Sequence, residues 1–293
     1  MLNFTKFTGA DIDIVRPYLD KQSYRSCDYT VGGIYLWQEE FCPLWCIDGG
    51  MLYMRVDCPR RGRFYMPPVG EGSISSALLR IAEHCALVGE SPVFSGVPRE
   101  ALPAFFESFG QGVHISEDRD SADYVYNAED LRELAGKKYH GQRNHAAFFE
   151  RNYADYRYAR IEDGDIDNLL SFLSLQYAPS VDDAARSDLA ATEKMIDEYQ
   201  KYGLCGGCLK NGDGRIAAFA FGEIQGDTLY VHVEKADRAM RGAYQTIVRS
   251  FARDMGQSVR YINREDDAGD EGLRISKTSY HPAFLVDKYT VCI

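Results

Sequence analysis

Apolar and polar positions recur with two different periods along the chain, and the clearest runs lie in its second half. Tyr244, Ile247, Val248, Phe251, Ala252 and Met255 fall at i, i+3, i+4, i+7, i+8 and i+11, which predicts one continuous apolar helix face. Gln245, Arg249 and Arg253 make the opposite row. Upstream, residues 206–222 hold two strand-like runs around Asn211-Gly212-Asp213-Gly214, the composition of a hairpin. Residues 228–234 read as a third strand after the turn Gln225-Gly226-Asp227, and 259–262 as a short strand beyond the helix. In the first half, residues 44–56 read as a hairpin around Asp48-Gly49-Gly50, with helices predicted over 73–88 and 98–108. Tyr124-Val125-Tyr126 and a basic helical stretch over 128–152 connect the halves. Helix, hairpin, strand, helix, strand is the order of an α/β (α+β) sandwich, a mixed sheet flanked by helices.

A short internal repeat bears on the domain count. Asp11-Ile12-Asp13, Tyr18-Leu19 and Gln22 recur as Asp165-Ile166-Asp167, Phe172-Leu173 and Gln176, all at an offset of 154 residues. Each copy places Asp at the opening of an amphipathic helix, where a carboxylate can cap free N–H groups. Pro17 predicts that the first of these helices is short or kinked. The repeat predicts two related halves: an N-terminal domain over 1–127, a connecting helical segment over 128–154 and a C-terminal domain over 155–293.

Composition changes this picture little. The 293 residues are 45% hydrophobic and 26% charged, as in packed globular chains. No run approaches the ~20 apolar residues of a membrane helix. The start, Met1-Leu2-Asn3-Phe4-Thr5-Lys6, lacks the pattern of a signal peptide, so a cytoplasmic protein without an integral membrane segment is expected. The net charge of −11 argues against a general nucleic-acid coat, and no DNA partner is expected. Two islands depart from that average. Residues 238–264 hold six arginines against Asp254, and residues 137–160 hold six basic side chains against two acidic ones. An anionic ligand belongs at one of these. Cys205-Gly206-Gly207-Cys208 has the spacing of half a zinc site, but no second pair completes it, and no metal site is expected.

Three strings carry a family likeness. They are Lys137-Lys138-Tyr139-His140-Gly141-Gln142-Arg143-Asn144-His145, Arg241-Gly242-Ala243-Tyr244-Gln245, and Asn263-Arg264-Glu265-Asp266-Asp267 with Gly272-Leu273-Arg274, Lys277, Ser279-Tyr280-His281-Pro282 and Lys288-Tyr289. Together they resemble an uncharacterised bacterial family similar to the C-terminal catalytic domain of phosphatidylglycerol lysyltransferases. The resemblance covers most of the chain and implies two tandem acetyltransferase-like (GNAT-like) domains. It also implies acyl or aminoacyl transfer from an activated thioester or ester to an amine or hydroxyl. Such a reaction needs a base for the nucleophile, donors for the developing oxyanion and an acid for the leaving group.

In acetyltransferase-like folds the strand equivalent to 228–234 splays from its neighbour, and the next helix start receives a pyrophosphate. Arg238, Arg241, Gly242 and Tyr244 lie at that helix start, and Asn263 ends the neighbouring strand, so these five form the cofactor-side set. The acetyl-CoA signature is broken, because Arg241 stands where glycine belongs. Acyl-CoA and aminoacyl-tRNA are the donors the resemblance implies, and tRNA is the partner that the second would bring. The membrane-spanning flippase portion of the lysyltransferases is absent from this sequence, and transfer to a lipid is not carried over.

Individual side chains complete the expectations. His232 and Glu234 lie two apart on one strand face, with Glu234 as general base and His232 sharing its site. Tyr280 is the candidate acid for the leaving group. Arg264, Glu265 and Lys277 follow the last strand as substrate-binding residues, joined by Arg143 and Asn144 on the basic helix. A competing expectation is a catalytically degenerate module that binds an anionic metabolite, nucleotide or lipid headgroup. An adaptor role would instead use the aromatic-rich first half, with Trp37 and Trp45.

Overall fold

The computed structural model describes residues 1–177 and 183–293. Its strands are β1 (Thr5–Lys6), β2 (Pro43–Asp48), β3 (Met51–Cys58), β4 (Gly62–Tyr65), β5 (Val69–Gly70), β6 (Val93–Pro98) and β7 (His114–Asn127). They continue as β8 (Arg157–Arg160), β9 (Cys205–Lys210), β10 (Ile216–Gln225), β11 (Thr228–Ala236), β12 (Tyr261–Asn263) and β13 (Phe284–Cys292). The helices of the first half are α1 (Ile12–Leu19), α2 (Val31–Leu36), α3 (Gln38–Phe41), α4 (Ile74–Val88) and α5 (Leu102–Phe109). After β7 come α6 (Ala128–Glu133), α7 (His140–Asn152), α8 (Ile166–Tyr177), α9 (Asp183–Glu198), α10 (Ala243–Met255) and α11 (Glu271–Thr278). This is a mixed α/β fold, with antiparallel hairpins and parallel strand pairs in its sheet.

The chain forms two compact units. The first contains Met1–Asp123, Asp266–Arg274 and Leu285–Ile293; the second contains Tyr124–Glu265 and Ile275–Phe284. The expected domains, divided at 127 and 155, are each one continuous stretch of chain, whereas these units each gather separate stretches. In the first unit the strands run β1-β2-β3-β4-β6, and β13 pairs antiparallel with β6. Its interior holds an ion cluster: Lys288 Nζ lies 2.8 Å from Asp123 Oδ1 and 2.9 Å from Asp28 Oδ2, and Lys288 and Asp123 are buried. In the second unit the order is β8-β9-β10-β11-β12, and the last residues of β7 pair antiparallel with β12, Val125 opposite Asn263. The strands of each unit are thus joined by one that is distant in sequence.

The short repeat has a structural counterpart. Gly9–Asp11 and Asp163–Asp165 are both single 3-10 turns, leading into helices that start at Ile12 and Ile166. Asp11 Oδ2 accepts from Thr8 N at 2.8 Å, and Asp165 Oδ2 accepts from Glu162 N at 3.1 Å, the same reciprocal cap at the same offset. Helix α1, with Pro17 inside it, is 8 residues long against 12 for α8. The predicted hairpins, the strand at 228–234 and the α10 face are present, with Ile247, Val248, Phe251 and Ala252 buried. The single helix expected over 128–152 is instead two. Leu134 and Gly136 adopt positive φ (49° and 81°), which ends α6 and redirects the chain before α7.

Candidate active site

The site grows from a strand pair that parts. β11 and β12 run parallel and pair at Thr228–Tyr261, Leu229–Ile262 and Tyr230–Asn263, after which β11 continues to Ala236 without that neighbour. The chain leaves β12 because the Asn263 side chain accepts from Glu265 N at 2.7 Å, and Glu265 turns with φ of 58°. On the other side of β11, Phe221 pairs with Val233 but Gly222 pairs with Val231, so His232 is the extra residue of a bulge. Bulges re-aim side chains beside sites. Gly222 permits this one, since a Cβ there would stand 2.2 Å from the Tyr230 carbonyl oxygen.

His232 is wholly buried, and both ring nitrogens face carboxylates. Nδ1 lies 2.7 Å from Glu265 Oε1, and Nε2 lies 3.0 Å from Glu223 Oε1. A neutral imidazole has one N–H and one lone pair, so it would point that lone pair at an oxygen anion. With both carboxylates ionised, only the imidazolium satisfies both contacts. Burial opposes the charge, but the bonds to Glu223 and Glu265 outweigh it and raise the His232 pKa to about 9. His232 therefore carries its proton at neutral pH and is not a base there.

A second cluster adjoins in sequence. Arg264 donates from Nε (3.0 Å) and Nη2 (2.5 Å) to Glu234 Oε2. Its guanidinium carbon lies 4.8 Å from the Tyr280 ring centre and 5.7 Å from that of Tyr126. The third nitrogen, Nη1, is buried with no hydrogen-bond partner among the described residues. Burial pushes the Tyr280 hydroxyl up to about 12, partly offset by Arg264. Lys277 Nζ donates to the Arg264 carbonyl at 2.6 Å, and the Tyr126 hydroxyl donates to the Lys277 carbonyl at 2.8 Å, which fixes the last turn of α11. Glu234 and Glu265 remain partly open, at 15% and 16% side-chain exposure.

His232, Glu234, Asn263, Arg264, Glu265, Lys277 and Tyr280 thus come together around the parting strands. The residues at the α10 start stand differently. Gly242 has φ of 91°, and a Cβ on it would lie 2.0 Å from the His145 carbonyl oxygen, so its close approach is to α7. Arg241 is exposed and lies over the Phe148 ring at 4.6 Å, with Nε 3.4 Å from His145 Nδ1. Arg238 is exposed and Tyr244 half-buried. On α7, Arg143 donates to the carbonyls of Leu134 and Gly136, and Asn144 meets His140 Nε2 at 3.0 Å. These two hold the turn between α6 and α7 and their own helix. Sequence reasoning missed Glu223 and Tyr126. Glu223 had a signal, as a lone carboxylate ending the apolar run Ile216–Gly222.

A parallel strand pair thus parts beside a β-bulge, with ionisable side chains at the parting. Solved structures of similar fold include a conserved protein of unknown function from Bacteroides thetaiotaomicron, 30% identical, with each chain covered in full and a TM-score of 0.92. The C-terminal domain of a putative lysylphosphatidylglycerol synthetase from Agrobacterium fabrum is 14% identical over 97% of this chain and 92% of that one, with a TM-score of 0.68. The chain belongs to the phosphatidylglycerol lysyltransferase C-terminal family, whose model matches residues 22–292. An uncharacterised protein of Mycoplasmoides gallisepticum is 26% identical over 173 residues, which span 58% of this chain and 56% of that relative. No described helix is long and apolar enough to cross a membrane.

Proposed function

We propose that the protein is an acyl- or aminoacyltransferase built as two tandem GNAT-like halves, with its reaction at the β11–β12 parting. The observation that carries this reading is the buried Arg264 with one unpaired Nη1, beside two partly open carboxylates and the Tyr280 ring. In this reading Arg264 Nη1 donates to the carbonyl oxygen as it becomes an oxyanion. Tyr280 supplies the proton to the leaving oxygen. The attacking amine or hydroxyl gives its proton to Glu265.

The choice of Glu265 over Glu234 as base rests on charge. Protonating Glu234 would leave the buried Arg264 cation without its counter-ion, which is costly. Glu223, imidazolium and Glu265 together carry one negative charge, so a proton on Glu265 neutralises them instead. The ester donor is favoured over a CoA thioester, because α7 packs on Gly242 where a pyrophosphate would approach α10. The aminoacyl end of a charged tRNA is such an ester.

A second reading, an anion-binding module without chemistry, draws on the closed Arg264–Glu234 pair. The test is to incubate the chain with a pool of tRNA carrying labelled amino acids, and separately with labelled acetyl-CoA, in the presence of amine and hydroxyl acceptors. Label moving from tRNA to an acceptor is expected. Transfer from neither donor, with retained tRNA binding, would favour the second reading.

A further inference from the structure

Glu223 is the most buried of the three carboxylates at the site, at 3% side-chain exposure, and its carboxylate faces the His232 ring. It lies on β10 opposite Tyr230, on the strand flanking the His232 bulge. Its cost is considerable, since a buried carboxylate without a cation loses hydration for nothing. The bulge places the His232 ring between it and Glu265, so three ionisable groups form one line from the interior to the partly open edge. The charges facing the ring are Glu223 from β10 and Glu265 from the loop after β12. The next carboxylate along β11, Glu234, is engaged by Arg264.

We propose that Glu223 is a positioning residue for proton transfer: its carboxylate holds His232 as an imidazolium and gives the line the surplus negative charge that makes Glu265 the proton acceptor. The idea rests on the transfer reading, but its physical core is separable from it. With Glu223 ionised, the line holds two anions and one cation. Removing that charge leaves one of each, and a proton arriving at Glu265 would then create a buried net cation. Loss of Glu223 must therefore make His232 easier to deprotonate. The geometry asks for this through both ring nitrogens, because an aromatic side chain or water could fill the same volume without fixing the proton.

The test uses the full chain labelled with carbon-13 and nitrogen-15 in histidine and glutamate, followed by NMR from pH 4 to pH 10. In the unmodified protein the His232 ring is expected to be doubly protonated at pH 7. In Glu223→Gln the midpoint of His232 should fall by about one pH unit or more. Glu223→Asp should restore part of that shift. A neutral His232 ring at pH 7 in the unmodified protein overturns the proposal without any variant having to fold. So does an unmoved His232 midpoint in a folded Glu223→Gln. With charged tRNA as the probe, the acid limb of the transfer rate should move to lower pH in Glu223→Gln, and an unmoved limb counts against Glu223. Absence of transfer from the unmodified protein would instead defeat the functional reading, and the titration would still decide the role of Glu223.

Discussion

At the scale of single residues, His232 shows how partners override type. Two apart from Glu234 on a strand, it invites the reading of a shared acid–base pair. The bulge instead hands His232 to Glu223 and Glu265, and Glu234 to Arg264. One consequence is measurable in stability. The folded-state pKa of His232 is raised to about 9 from an unfolded value near 6.5. Its stabilisation is fully present below pH 6.5 and is lost as pH rises toward 9, on the order of 3 kcal/mol. Urea unfolding at pH 6 and at pH 9.5 should show that loss in the unmodified protein and much less of it in His232→Gln. Equal losses in both would show that the ring is not held charged.

At the scale of elements, period and turn chemistry made much of the fold legible. The α10 stripe, the Gly49-Gly50 turn at positive φ and the Asn211 loop all follow from local rules. What stayed hidden was decided by distant pairing. Strand β7 begins at His114, and its first residues, His114–Ser121, are too polar to announce a strand; β13 carries a lysine that is buried only because Asp123 and Asp28 meet it. Gly242 is the sharpest case. In sequence it looks like a phosphate-approach glycine, and in the fold it is where α7 touches the α10 start. Alanine there meets both a left-handed backbone and the His145 carbonyl, so Gly242→Ala should destabilise the fold by about 2 kcal/mol or more. A urea midpoint unchanged from the parent would mean that α7 is free to move away, and the argument against a CoA pyrophosphate would go with it.

At the scale of the whole molecule, the net charge of −11 coexists with a stretch of arginines at 238–264 that reads as an anion site. The fold gives several of them internal partners: Arg249 meets Glu150, Arg253 meets Glu133 and Arg264 meets Glu234. Local counting cannot see partners a hundred residues away, which is why the candidate site was legible as residues but not as roles. The three strings located its neighbourhood, and five of the seven clustered residues come from the stretch 232–265. The family match spans residues 22–292 as a whole, and the proposed chemistry depends on which carboxylate takes a proton. The most direct measurement is the single-turnover rate of label transfer from charged tRNA by the unmodified protein and by Glu265→Gln, with folding checked by its urea midpoint. A fall of roughly 10²- to 10⁴-fold is expected for loss of a general base. A folded Glu265→Gln that transfers within twofold of the parent, or a fall seen only in Glu234→Gln, would contradict the assignment.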